Sequence, residues 1–302
     1  LTDPIFRVSG GARMALPEVF AGLARDDVRG FPALRPHQRP AWHTFLVQLG
    51  ALALWTAGRD DLPRDPEEWA ALLRALTPGY AEDAPQGDAP WRLVVADHGT
   101  PAFLQPPSPQ DLKWDPVPTP DALDLLITSR NHDLKQAVAR EGTAEDWVFA
   151  LITVQTFEGY GGAGNQGIAR MNGGASSRPL LGLAPARDGD DTVDPSAWWA
   201  RDVRRLLADR AAHGNGGYGS LGGPALLWLL DWPEGAQLAL TDLDPWFIEV
   251  CRRVRLIARD GTLSAIRTTS KAARIQAKAA KGNVGDPWVP VHKDGKSLTL
   301  SG

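Results

Sequence analysis

The sequence predicts an α+β fold, one large mixed domain with irregular loops, and three features carry that expectation. Helix signatures recur along the chain, yet they never alternate with strands in the rhythm of a doubly wound sheet, and no internal repeat is evident. Two glycine-rich loops and a proline-dense tract interrupt them. Finally, 43% hydrophobic and 23% charged residues suit a packed core rather than disorder, and no apolar run approaches the roughly 18 residues of a membrane span. At roughly 150 residues per domain, 302 residues allow two domains, but one large α+β unit over 1–302 is the reading adopted.

The first eight residues read as a short strand, Ser9-Gly10-Gly11 as a turn, and Leu16-Pro17-Glu18-Val19-Phe20 as the entry to a short helix. Pro40 suits a helix's first turn, and residues 42–55 are apolar on nearly every face, which predicts a buried helix. Asp65-Pro66-Glu67-Glu68 is a second helix start, with Gly79 beyond its end. Residues 81–120 hold nine prolines and read as an extended surface loop, except for a strand at 91–96. A strand is expected at 123–128, and a helix capped by Thr143 and Asp146 runs to about Phe157. Asp194-Pro195 and Asp244-Pro245 each pair an Asp N-cap with Pro at the next position, so helices are expected from both, the second carrying Cys251 in its middle. Six glycines in residues 214–223 form the second glycine-rich loop.

Enzyme signatures are weak. The single Cys251 rules out an internal disulfide and a cysteine-built zinc site, and reads as a small core residue rather than a nucleophile. A reducing cytoplasmic location is expected, since no apolar secretory segment opens the chain. The six histidines offer no close ligand pair, and the carboxylate pairs read as turn, cap or solubility residues. Neither a metal nor a cofactor is expected.

The formal net charge of −4 excludes coating of nucleic acid through bulk positive charge. It hides an asymmetry. Residues 251–302 carry eleven Lys and Arg against three acids, a local +8, which leaves −12 for the rest. Five of the seven lysines (Lys271, Lys278, Lys281, Lys293 and Lys296) lie there. Two readings stand: a surface that meets phosphates, or a solvated terminal face. Twelve tryptophans predict an aromatic core.

The first glycine-rich loop, Glu158-Gly159-Tyr160-Gly161-Gly162-Ala163-Gly164-Asn165-Gln166-Gly167, lets backbone N–H groups come close to an anion or a narrow groove. It lacks the Gly-Lys-Ser/Thr ending of a P-loop, and it follows a helix where a dinucleotide fingerprint would follow a strand. What remains is a flexible element with Tyr160, Asn165 and Gln166 as polar handles, or else a helix C-cap running into a tight connection.

Several of these segments together resemble the CasA family, the large subunit of the type I-E CRISPR surveillance complex Cascade. The opening Leu1-Thr2-Asp3-Pro4-Ile5-Phe6-Arg7-Val8 with Leu16-Pro17-Glu18-Val19-Phe20 is similar to the family's first strand and helix, with Ile5-Phe6-Arg7 departing from its Trp-Ile-Pro. The apolar helix at 42–55 fits too. Nearest is the succession of a polar loop (Thr128, Ser129, Arg130, Asn131, His132), an apolar helix and the loop Gly159-Tyr160-Gly161-Gly162, then Gly173-Gly174 and, as the resemblance implies, a strand at Arg178-Pro179-Leu180. Two features of the family are missing. Members carry a C-terminal helical bundle after a wedge-bearing hairpin, whereas this sequence ends at a strand-like Leu298-Thr299-Leu300, which fits either a truncated chain or a natural short form whose wedge is supplied elsewhere, and it lacks the Cys-rich knuckle of some relatives.

The resemblance implies a non-catalytic subunit of an RNA-guided antiviral ribonucleoprotein. Thr128 to His132 would contact the guide RNA and neighbouring Cascade subunits. Residues 159–162, with Asn165 and Gln166, would enter the minor groove of the protospacer-adjacent motif (PAM) of double-stranded target DNA, assisted by a lysine, Lys271 first, with Lys278 and Lys281 beside it. The subunit would help start unwinding and present the target to a helicase-nuclease, with no membrane involved. Two alternatives belong to other classes: a nucleotide-using enzyme whose site lies at the glycine-rich loops, and a purely scaffolding subunit.

Overall fold

The computed structural model describes residues 1–80, 88–109, 111–124, 142–171, 177–187 and 189–289. Its helices are α1 (Leu16–Arg25), α2 (Arg39–Thr56), α3 (Pro66–Ala75), α4 (Pro120–Leu123), α5 (Ala144–Thr156) and α6 (Pro195–His213). Its strands are β1 (Phe6–Arg7), β2 (Arg13–Met14), β3 (Asp115–Val117), β4 (Ala186–Arg187), β5 (Asp190–Val193), β6 (Leu238–Ala239), β7 (Arg253–Arg259), β8 (Thr262–Thr268) and β9 (Ile275–Gln276). The fold is α+β, as expected.

The helices start where side chains can accept the first free N–H groups. Asp65 accepts from Glu67, Asp194 from Ser196 and Ala197, and Thr143 with Asp146 forms a capping box. α2 is the hub. It is buried without a break from Ala41 to Leu54 and packs against α5 and α6, while α1 packs on α3 and α6. Gly50 permits that crowding, because a Cβ there would sit 3.3 Å from both Phe20 and Trp199. Nine of the twelve tryptophans are buried, and rings such as Phe20 and Trp69 (4.7 Å, stacked) or Trp42 and Phe149 (5.1 Å, edge-on) knit the helices together.

The principal sheet is antiparallel in the order β3-β8-β7, and the other strands among the described residues form three two-stranded pairs, β1-β2, β4-β5 and β6-β9. β7 and β8 form a two-residue hairpin, with Arg259 opposite Thr262. Asp260 and Gly261 occupy the left-handed region at φ 51° and 78°, the geometry an Asp-Gly hairpin turn requires.

Several expectations need correction. Residues 91–96 form no strand; a 3-10 turn at Ala89–Trp91 leads into a chain whose Arg92 and Leu93 carbonyls are taken by the Phe103 N–H and the Gln105 side chain. No helix follows Asp244-Pro245. The Asp244 carboxylate, paired with Arg210, does accept from the Trp246 N–H at 2.8 Å, but Gln48 of α2 takes the Trp246 and Phe247 carbonyls, and after a single turn the chain runs on beneath α2 into β7. Cys251 therefore precedes a strand. Arg178-Pro179-Leu180 pairs with no strand: the Arg178 N–H donates to the Phe157 carbonyl and its side chain is buried on Asp286. Leu123 ends α4 with Asp124 as its C-cap, so the strand expected at 123–128 does not start there; residues 125–128 lie outside the described residues, as do Gly173-Gly174 and Leu298-Thr299-Leu300.

The basic segment is not a uniformly charged surface. Arg252, Arg253, Arg255 and Arg274 are buried and collect backbone carbonyls from irregular loops. Arg255 reaches the carbonyls of Asp97, Thr100 and Gln105 at 3.0–3.2 Å. Arg274 takes those of Leu230 and Asp231, and Arg253 that of Pro233 with its guanidinium over the Trp232 ring. Burial pulls the Arg255 and Arg274 guanidiniums down to about 10, which still leaves them cationic at neutral pH.

Candidate nucleic-acid interface

The capped helix α5 is buried along nearly its whole length and delivers the chain into the glycine loop. The loop's base closes where the Ile168 N–H donates to the Glu158 carbonyl at 3.2 Å. Its tip is a tight turn: the Gly161 N–H donates to the Asn165 carbonyl and the Asn165 N–H to that of Gly162, both at 2.9 Å. A third bond ties the tip to the end of β8, the Ser270 N–H donating to the Gly164 carbonyl at 2.9 Å. Gly164 has φ 76°, and a Cβ there would lie 2.4 Å from the Thr269 side chain, so only glycine allows this approach. Tyr160, Gly161 and Ala163 are exposed, while Asn165 and Gln166 are half-buried.

Lys271 belongs to this site. It is exposed directly after the Thr269-Ser270 tether, its N–H donates to Glu234 at 2.8 Å, and it shares with Ala163, Gly164 and Gln166 one wall of a shallow depression. On the other side a cleft of about 130 Å³ is lined by Gly161, Asn165, Arg252 and Arg267. Lys278 and Lys281 are exposed but line neither depression. Their 3-10 turn (Lys278–Ala280) leads instead toward the second glycine-rich loop, where the Tyr218 hydroxyl donates to Asn283 at 2.7 Å. Thr128, Ser129, Arg130, Asn131 and His132 lie outside the described residues. A larger depression of about 630 Å³, with an apolar lining that includes Phe6, Trp91 and Phe103, is remote from this loop in sequence and shares no lining residue with it.

The loop's electrostatics centre on Glu158 and Arg252. The buried Arg252 guanidinium donates to the Gly159 carbonyl at 2.7 Å. Burial pushes the half-buried Glu158 carboxyl up to about 7, against the pull of Arg252 and with a smaller push from Asp124. Burial also pushes the Cys251 thiol up to about 11, and its Sγ donates to the Val154 carbonyl, so it stays protonated and unreactive. Among the described residues no group of three or more His, Cys, Asp or Glu side chains could hold a metal ion. The arrangement offers a backbone-rich tip flanked by the exposed cations Arg267 and Lys271.

Reasoning from the sequence missed the hairpin, and with it Arg252 and Arg267. The Asp-Gly dipeptide at 260–261, between β-branched and apolar residues, was the signal that could have found it.

No protein-family model matches the chain, and no curated protein matches it. Among solved structures the chain is similar to Thermus thermophilus CasA (Cse1), with 15% identity and a TM-score of 0.45 over 100% of this chain and 58% of that one. The chain thus spans less than two thirds of the length of that protein.

Proposed function

We propose that this chain is a non-catalytic, CasA-like subunit of an RNA-guided surveillance complex, and that it reads the PAM of double-stranded target DNA with the glycine loop. One observation carries the reading. The Gly164–Ser270 tether brings residues 159–166 and Lys271, distant in sequence, together, so that a loop exposing Tyr160, Gly161 and Ala163 has a cation beside it. A minor groove about 6 Å wide admits such a backbone-rich tip where long side chains would not fit. Lys271 and Arg267 would then meet the flanking phosphates, giving local counterion release from a protein of net negative charge. Tyr160, Asn165 and Gln166 supply polar groups at the tip, and sequence beyond the short motif is left to guide pairing. The guide RNA and neighbouring subunits would contact residues 128–132, and a separate helicase-nuclease would receive the opened target.

The test places a charge on the tip without backbone strain. Ala163 is exposed and has an ordinary backbone conformation, so Ala163→Asp should leave assembly of the complex intact. It should weaken binding of PAM-bearing duplex by about tenfold or more, the scale of losing a specific groove contact. Lys271→Gln should lower affinity on all duplexes and reduce the salt slope by about one. Unchanged PAM-dependent affinity in Ala163→Asp, measured on the assembled complex, overturns the groove-reading role.

A further inference from the structure

The glycine loop is held over the hairpin by two tethers. The first is the backbone bond from Ser270 to Gly164. The second is the Arg252 side chain, 2.7 Å from the Gly159 carbonyl, with its other terminal nitrogen on Cys251 Sγ at 3.4 Å. The root of this second tether is itself fixed. The Gln155 side chain accepts from the N–H groups of Cys251 and Arg252 at 3.0 and 2.8 Å, and donates to the carbonyls of Arg252 and Leu104 at 3.0 and 2.9 Å. The Arg252 guanidinium also lies under the tip, since a Cβ on Gly161 would be 3.5 Å from its Nη2. A cation here sits near the carbonyl end of α5, where the helix dipole favours positive charge.

We propose that Arg252 is the positioning residue of the glycine loop: through Gly159 it sets the height and rigidity of the tip and so the loop's affinity for duplex DNA. The proposal rests on the groove-reading role above. Arg252 is buried and acts through the backbone it holds, without contacting the DNA. Arginine is suited to this task because its planar fork reaches a carbonyl and the adjacent sulfur at once, whereas a lysine ammonium would hold the carbonyl alone.

Amide hydrogen exchange on the whole chain, paired with duplex affinity of the assembled complex, tests this with Arg252→Gln and Arg252→Lys. In Arg252→Gln, exchange at the Gly161 and Asn165 amides should rise about tenfold, the size expected for losing one charge-assisted hydrogen bond. The Ser270 amide and the α5 amides should keep their protection, and DNA affinity should fall with the loop's protection. Arg252→Lys should recover part of both. Unchanged exchange at Gly161 and Asn165, or a rise spread evenly through α5, β7 and β8, overturns the proposal. So does a local rise without loss of DNA affinity when Ala163→Asp does weaken binding. If Ala163→Asp and the Arg252 variants are all silent on DNA while the local rise is present, the groove-reading role fails and the hold of Arg252 on the loop stands. Should Arg252→Gln not fold, Arg252→Lys carries the same readouts.

Discussion

The helices around α2 and the loops around the β7–β8 hairpin both bury backbone, and they satisfy its polar groups by different means. α2 bonds its own N–H and C=O groups internally, which leaves its side chains free to be apolar on almost every face. The loops near residues 97–106, 159–167 and 230–234 have no such ladder, and buried arginines of the basic segment collect their carbonyls instead. A third set of pins is ionic. Arg178 grips Asp286 through two bonds at 2.7 and 2.8 Å, Arg170 lies 3.8 Å from Glu249, and Arg210 holds Asp244 beneath the Trp246 ring. In one region hydrophobic pattern is the fold; in the other, charge is structural although it reads as surface charge in the sequence.

The sharpest way to break the comparison is Asp286→Ala. It removes the carboxylate that accepts two hydrogen bonds from buried Arg178 and lies 3.9 Å from buried Arg170, and removing one partner of a buried pair costs about 3–5 kcal/mol. Denaturant unfolding should report that loss. A double replacement, Arg178→Met with Asp286→Leu, should recover most of it, because an apolar pair of similar volume needs no desolvation of charge. The wild-type dependence on acid follows from the same contact. Burial by itself would raise the Asp286 carboxyl, but Arg178 and Arg170 outweigh it and hold the group below the ordinary aspartate range. Its contribution is therefore present above about pH 3.9 and is lost as pH falls through the lower folded value.

Leu49→Ala probes the other side. Leu49 is fully buried in α2, so the substitution should cost about 3 kcal/mol through lost burial and the cavity left behind. Unlike the loss at Asp286, it should be independent of pH between about 3 and 8. A pH-dependent Leu49→Ala, measured by unfolding at both ends of that range, would merge the two regions into one cooperative unit with a shared ionic core.

The same contrast decides how much could be read in advance. Asp65-Pro66, Thr143 with Asp146, and Asp194-Pro195 each start the helix they announce, the N-cap side chain accepting from first-turn N–H groups. Asp244-Pro245 carries the same signal and starts none. Its carboxylate accepts from the Trp246 N–H at 2.8 Å as a cap would, but Gln48 of α2 takes the Trp246 and Phe247 carbonyls and Arg210, 34 residues away, also holds the carboxylate, and nothing local reveals those pairings. The glycine loop was legible as a loop, whereas Lys271 was named only through the family resemblance, and its place beside the loop comes from the fold. The grip of Arg252 on Gly159 spans 93 residues and was invisible, as was the burial of four arginines counted as surface charge. Local chemistry announces helices and turns, while long-range pairing decides which charges vanish into the interior.

Glu158 gives the smallest expected effect and the finest test, because it lies where the two regions meet, at the end of α5 and the foot of the glycine loop. Its carboxyl is pushed up to about 7 by burial; Arg252 opposes the shift and Asp124 adds to it, and the buried Cys251 is nearby but uncharged. In the unfolded chain it titrates near 4.3. Between those values the folded protein holds a proton that the unfolded chain has released. The contribution is thus fully present below about pH 4.3 and is lost as pH rises through about 7. Glu249, buried and also pushed up to about 7, acts in the same window, so Glu158→Gln should flatten only part of the slope. Wild type and variant should match near pH 4, and above about pH 7.5 the variant should be the more stable by about 1 kcal/mol or less, since solvent screens a half-buried site. Exchange at the Gly161 amide, followed across that range, should lose part of its pH dependence in Glu158→Gln and keep it in Leu49→Ala. If both variants keep the wild-type profile, Glu158 is solvated and ionised at neutral pH, and Arg252 faces a charged partner that competes with Gly159 for the guanidinium.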